Sequence, residues 1–309
     1  MKKCINQVTI EGYLYQHTLT VKTVQDPNSA NYGKEYISGE IEVVVDEAGL
    51  NIIPVHYTYV TATTSKDTVN KNYTVLKSII DGGKTWIEHG KDAAMKVKCN
   101  TNFALNDFYA NDGSLVSQMR QEGGFISIVN ELSNIEKRNG FILDLLITSV
   151  IRKEADPEKG TDEYCEVRGA GFNFRNALLP MTFKLYNPQG MNYFEDLDAS
   201  PKNPVFLKVF GEIKHITTQV NRTEESAFGE AIVSSYDKKV KEWIITNAAK
   251  NAYDFGDESI MTTEELGKAI QDREVYLAGV KKRADDYKAS KATPAPAVTP
   301  TASKTTFNF

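Results

Sequence analysis

The chain is poor in the groups that catalysis and metal binding need. Its 309 residues hold four histidines, His17, His56, His89 and His215, and none falls in an HxxxH or HxE spacing, so a hydrolytic metal site is not indicated. Cys4, Cys99 and Cys165 are odd in number and far apart, with no CxxC pair. They read as reduced, packed thiols rather than zinc ligands or a disulfide framework. There is no GxSxG, no Walker-type GxxxxGK[ST] and no glycine fingerprint opening a helix. Gly169-Ala170-Gly171 falls inside a predicted strand, where glycine marks a bulge or close backbone approach. Acidic pairs such as Glu195-Asp196 and Asp285-Asp286 read as solvated helix faces. The expectation is a protein without catalysis, cofactor or metal.

Long apolar runs are also missing. No stretch approaches the ~20 apolar residues of a membrane span, and the opening Met1-Lys2-Lys3 leads into Cys4, Asn6 and Gln7 rather than a hydrophobic leader. A soluble, cytoplasmic chain with no membrane partner is expected. Positive charge is not in excess either: 36 Lys and Arg against 41 Asp and Glu give a net charge of −5. That weighs against a nucleic-acid partner, whose phosphates are met by Lys and Arg, although a locally basic groove can coexist with acidic loops.

What the chain does have is core-forming material, 41% hydrophobic and 10% aromatic, in a length that suits two domains. From its start the pattern alternates: Val8, Ile10, Gly12 and Leu14 share one face, Thr9, Glu11, Tyr13 and Tyr15 the other, the signature of a half-buried strand. A polar loop over 26–34 leads to a strand at 36–45, and the Glu47-Ala48-Gly49 turn to another at 52–61. Residues 73–80 read as a short helix stopped by Asp81-Gly82-Gly83, with further strands at 93–103 and 124–131. Three strands, a helix and two strands is the element order of the OB-fold, a small Greek-key barrel.

The order then recurs. Strands are predicted at 141–151, 164–174, 178–186, 205–216 and 240–248, with a turn at 156–162 and a short helix at 191–197. Thr262-Thr263-Glu264-Glu265 starts a helix of about 25 residues with Leu266, Ile270, Leu277 and Val280 at helical spacing. From Ser290 the composition collapses to Ala, Thr, Pro, Ser and Lys, which cannot form a core and predicts a disordered tail, tipped by Phe307-Asn308-Phe309. The expected fold is mainly β: two tandem OB-fold-like five-stranded barrels (1–136 and 137–255), a C-terminal helix (256–289) and a flexible tail (290–309).

The run Ile5-Asn6-Gln7-Val8-Thr9-Ile10-Glu11-Gly12-Tyr13-Leu14 resembles the opening strand of OB-fold single-stranded DNA-binding proteins. The aromatic-tipped tail is similar to theirs, although it holds Lys304 and no acidic residue where bacterial members end in an acidic tip. With its tandem second barrel the chain looks like a divergent, bacteriophage-type member. The resemblance implies binding of single-stranded DNA in replication, recombination and repair, and a tail that recruits partner proteins through Phe307 and Phe309.

Sequence-tolerant binding of single strands needs aromatic faces for bases and Lys or Arg for phosphates. In the first barrel Tyr13, Tyr15, Tyr32, Lys34, Tyr36 and His56 are candidates, each tyrosine being either a stacking platform or a packing residue with a solvated hydroxyl. The polar hairpin over 102–120 offers Phe108, Tyr109 and Arg120 for bases or for an oligomer contact. In the second barrel Arg168, Phe172 and Phe174 share one strand phase, and Lys184 and Tyr186 share another opposite the apolar face of Leu179, Met181, Phe183 and Leu185. Arg152, Lys153 and Arg175 add candidate phosphate contacts. The competing expectation is a structural or assembly protein, for example of a virion, that uses the barrels for protein contacts.

Overall fold

A computed structural model describes residues 4–156, 161–224, 228, 232–254 and 260–292. The first half runs β1 (Asn6–His17), β2 (Thr20–Thr23), β3 (Glu35–Val44), β4 (Ile52–Thr61), α1 (Lys71–Gly82), α2 (Trp86–His89), β5 (Lys96–Tyr109) and β6 (Leu115–Ile128). β1 pairs antiparallel with both β3 and β5, β3 with β4 and β5 with β6. A short parallel ladder, Val55↔Gln121 and His56↔Glu122, closes the ring. Val8, Ile10 and Leu14 face inward with no more than 1% exposure, which is the phase the alternation predicts. Gly12 shares that face because β1 and β3 cross there: a Cβ would lie 1.9 Å from the Val44 carbonyl oxygen. α1 begins at the Asn70 cap, whose side chain accepts from the Asn72 N–H, and ends where the Gly83 N–H returns to the Ile79 carbonyl.

The second half repeats the plan with β7 (Gly140–Lys153), β8 (Tyr164–Phe172), β9 (Leu178–Leu185), α3 (Pro188–Asp196), β10 (Val205–Glu224) and β11 (Ile232–Ala248). β7 pairs with β8 and β10, β8 with β9 and β10 with β11, all antiparallel, and β9 meets β11 in parallel at Lys184↔Ile244. Each half is therefore a five-stranded OB-type barrel, with β2 an added edge strand that the sequence pattern does not predict.

The barrels are joined through their first strands. β1 and β7 pair antiparallel from Asn6↔Leu143 to Val8↔Phe141, so the eleven strands form one sheet. Phe103, Phe141 and Phe183 pack across the junction with ring centroids 5.2 to 6.0 Å apart. The buried Asn6 amide donates to the carbonyls of Phe103 (3.0 Å) and Phe172 (3.2 Å) and accepts from the Phe103 N–H (2.8 Å). On the other side Asn51, entering β4, donates to Ile213 and accepts from the His215 N–H.

Two strand pairs run far past their expected ends. The β5–β6 ladder continues to Tyr109↔Leu115, and the β10–β11 ladder to Glu224↔Ile232. Beyond the barrel wall a two-stranded ribbon has no barrel core to face, so the hydrophobic alternation that marks a strand is lost although the pairing continues. α4 (Thr263–Ala292) crosses the second barrel and reaches the first ribbon. Met261 and Ala269 bury against Leu146, Phe172 and Phe206, and Arg273 meets Asp107 of β5. Among the described residues no helix is long and apolar enough to cross a membrane.

Candidate nucleic-acid interface

In an OB-fold the outward face of strands two and three, with the adjoining loops, is the usual ligand surface. On the second barrel that face is β8 and β9. Tyr164, Glu166 and Arg168 alternate outward on β8, against Lys184 and Thr182 of β9 in register with Glu166 and Arg168. Tyr164 and Tyr186 lie 5.6 Å apart, ring centre to ring centre, with the Lys184 ammonium 4.7 Å and 6.0 Å from the two rings. Glu242, arriving on β11, takes the Lys184 ammonium at 2.6 Å and the Tyr186 hydroxyl at 3.0 Å. Partial burial opposes the charge on Lys184, but Glu242 outweighs it and holds the amine above the usual lysine range.

Following β8 from Tyr164 to Arg168 covers about 13 Å and enters a cleft of about 760 Å3 between the barrels. Arg168, Thr182, His215, Lys241 and Trp243 of the second barrel line it, with His56, Met119 and Arg120 of the first. On the far side the first barrel's strands two and three carry Tyr36 and Tyr59, their rings 4.6 Å apart, and Tyr59 is 46% exposed. Aromatic pairs thus stand at both ends of a path whose middle is the cleft.

The cations on this path are matched by carboxylates. Arg168 contacts Glu166 through Nε at 2.7 Å and Nη2 at 2.5 Å. Arg120 contacts Glu122 at 2.9 and 2.6 Å, and Glu122 also accepts from the Thr58 hydroxyl. His56 Nδ1 lies 2.9 Å from Glu40. Such partly exposed pairs contribute roughly 0–1 kcal/mol each to stability, and while they stand they neutralise the cations that a phosphate would meet. Lys241 has no ion pair among the described residues.

The other candidates are scattered. Tyr13 packs edge-on against Trp86 at 5.4 Å and beneath Lys91 at 5.8 Å. It sits beside Glu47, whose carboxyl Lys91 and Arg138 hold down to about 2. Tyr15 is half-buried on the same strand, and Tyr32 and Lys34 are exposed in the β2–β3 loop. Phe108 and Tyr109 end β5 at the ribbon tip. Arg152 is tied to Glu163 at 2.7 Å and Glu195 at 3.0 Å beside α3, with Lys153 exposed next to it.

One expectation fails outright. Phe172 has the outward phase but 0% exposure, because α4 and the segment leading into it cover that end of the strand. Alternation assigns a residue to a face and does not tell whether another element lies on it. Its neighbour Phe174 is 65% exposed with Arg175 5.1 Å from its ring, at the rim of a second groove beside α4. Phe174→Ala is expected to leave urea-unfolding stability within about 0.5 kcal/mol of the parent. Phe307 and Phe309 lie outside the described residues.

Tyr59, Tyr164, Met119, His215, Lys241 and Trp243 complete the path and are not among the binding candidates that the sequence offers. Tyr164 shares the phase of Arg168 and was within reach of the pattern. His215 is held at the cleft by Asn51, 164 residues away in the chain, and Trp243 stands beside it through the β10–β11 ladder, opposite Ile213. His215 is 6% exposed and neither ring nitrogen has a partner among the described residues, a desolvation cost of about 1–3 kcal/mol for each unsatisfied group. Burial, assisted by Lys241, pushes its pKa down to about 4. Among the described residues no three His, Cys, Asp or Glu side chains converge as a metal site.

Among solved structures, the chain is similar to a deletion mutant of the single-stranded DNA binding protein from Thermus aquaticus. The likeness covers 84% of this chain and 100% of that one, at 12% identity and a TM-score of 0.47. No curated protein matches the sequence. Residues 5–291, from the first strand almost to the end of α4, match the YorF family, and the chain belongs to that family.

Proposed function

We propose that this protein binds single-stranded DNA without sequence preference and without catalysis, along the outward strands two and three of both barrels. The observation that carries the reading is the arrangement of aromatic pairs, Tyr164 with Tyr186 and Tyr36 with Tyr59, at the two ends of a path through the cleft between the barrels. Flat rings spaced along a groove suit any base, because every base has a π-face. Protection of DNA in replication or recombination, a bacteriophage-type origin and recruitment of partners by Phe307 and Phe309 rest on the sequence resemblance.

Titration of a fluorescent oligo-dT at two salt concentrations tests the reading. Binding in the micromolar range or tighter is expected, and Tyr164→Ala with Tyr186→Ala should weaken it by about 1–3 kcal/mol per stacked base lost. No binding at low salt would overturn the proposal and return the barrels to a role in protein contacts.

A further inference from the structure

The cleft between the barrels has a feature that a backbone track does not need. His215 is buried in its wall with both ring nitrogens unpartnered among the described residues. Its ring stands edge-on to Trp243, centroids 5.5 Å apart and planes at 89°. The indole is fixed: with the Gln121 amide oriented to satisfy both neighbours, Gln121 donates to the Pro54 carbonyl (3.2 Å) and accepts from the Trp243 N–H (3.0 Å). Pro54, Pro180 and Met119 supply apolar wall, and Thr182 a hydroxyl. A mostly apolar concavity with a few convergent polar groups is the build of a small-molecule site.

The polar groups narrow the ligand. A neutral imidazole offers one N–H donor and one nitrogen acceptor, and its depressed pKa keeps His215 in that form at neutral pH. Nucleobase edges present donors and acceptors side by side, and their faces suit an indole and a thioether. The uncharged imidazole offers a phosphate no ion pair at this point of the wall. Arg168 and Lys241 among the lining residues are the groups for the phosphates on either side.

We propose that the cleft takes up a single nucleobase, with its polar edge read by His215 and its face against Trp243. The inference deepens the strand-binding reading and takes its ligand class from it, but it stands or falls on a different measurement. The same chemistry could come from a base extruded from a bound strand or from a free nucleoside, and the two are separated below.

The test uses the full chain carrying Trp86→Phe, so that Trp243 is the sole tryptophan. Thymidine and deoxyadenosine, which carry no phosphate, are titrated beside oligo-dT, with Trp243 emission and oligonucleotide anisotropy as readouts. Quenching by at least one nucleoside and by oligo-dT is expected. His215→Leu should lower nucleoside affinity about tenfold while Tyr164 and Tyr186 still hold the oligonucleotide. Thr182→Val, which keeps the shape of the rim, provides a second variant should His215→Leu fail to fold. Quenching by nucleosides that depends on His215, with no oligo-dT binding, supports the base site and overturns the strand reading. Oligo-dT binding with silent Trp243 emission, or nucleoside affinity unchanged in folded His215→Leu and Thr182→Val, overturns the base site and leaves the strand reading intact.

Discussion

Arg273→Ala is expected to destabilise the protein by about 3–5 kcal/mol, the cost of leaving a buried charge without its partner. Two parallel contacts of 2.7 Å join Arg273 of α4 to Asp107 of β5, and the side chains are only 11% and 1% exposed. Burial alone would raise the Asp107 carboxyl, but Arg273 and the Ser117 hydroxyl at 2.6 Å overcome it and hold the group below the usual aspartate range. A carboxylate whose folded pKa is depressed contributes stability that is complete above the unfolded value, near 3.9, and is lost as pH falls through the folded one. The pair should therefore cost the protein nothing at neutral pH and help to open it in acid. Urea unfolding at pH 7 and at pH 3 measures this. A loss under 1 kcal/mol at pH 7 would mean that water reaches Asp107 and that α4 does not fasten the ribbon. Lys288, placed 3.4 Å from the carbonyls of Ala110 and Asn111 at the ribbon tip, is too exposed to compensate.

The sequence discloses what the barrel walls do and little of what lies beyond them. β4 spans Ile52–Thr61, the strand expected after the Glu47-Ala48-Gly49 turn, and the inward phase of β1 follows from Val8, Ile10 and Leu14, because each strand has one wet and one dry face. The ribbons lose that contrast: the sequence shows the β5–β6 extension only as a polar hairpin over 102–120 and predicts the β10–β11 strands to stop at 216 and restart at 240. α4 is legible as an amphipathic helix, but its landing place is not, and that is why Phe172 reads as exposed when it is core. The site divides in the same way. Tyr36, His56, Arg120, Arg168, Lys184 and Tyr186 lie along the path, and strand phase accounts for the outward placement of Arg168, Lys184 and Tyr186. Their partners follow from phase only in part: Glu166 lies two residues from Arg168 on the same face, whereas Glu242 lies 58 from Lys184, and only the closed β9–β11 ladder brings it there. The charge of −5 now has a local meaning, for it includes carboxylates set directly against the candidate phosphate contacts.

Those carboxylates set up the prediction with the largest effect on binding. Affinity for single strands falls with salt by a slope of about −0.7 for each phosphate neutralised. With Arg120, Arg168 and Lys184 each occupied by an internal carboxylate, the unaltered protein should show a shallow dependence, its binding carried by base stacking. Glu122→Gln, Glu166→Gln and Glu242→Gln combined keep the side-chain shapes and free three cations. The slope should then steepen by about 2, equivalent to roughly a 100-fold gain in relative affinity for each tenfold drop in salt. Oligo-dT titrations across a tenfold range of salt read this directly. Asp81→Asn serves as the control, since Asp81 pairs with Lys77 on α1 away from the path and its loss should leave the slope unchanged. If the triple variant keeps the slope of the parent, phosphates do not pass over these residues and the strand crosses the barrels elsewhere. If the parent already has the steep slope, the carboxylates give way on binding, and the pairing of Arg120, Arg168 and Lys184 is a property of the free protein alone.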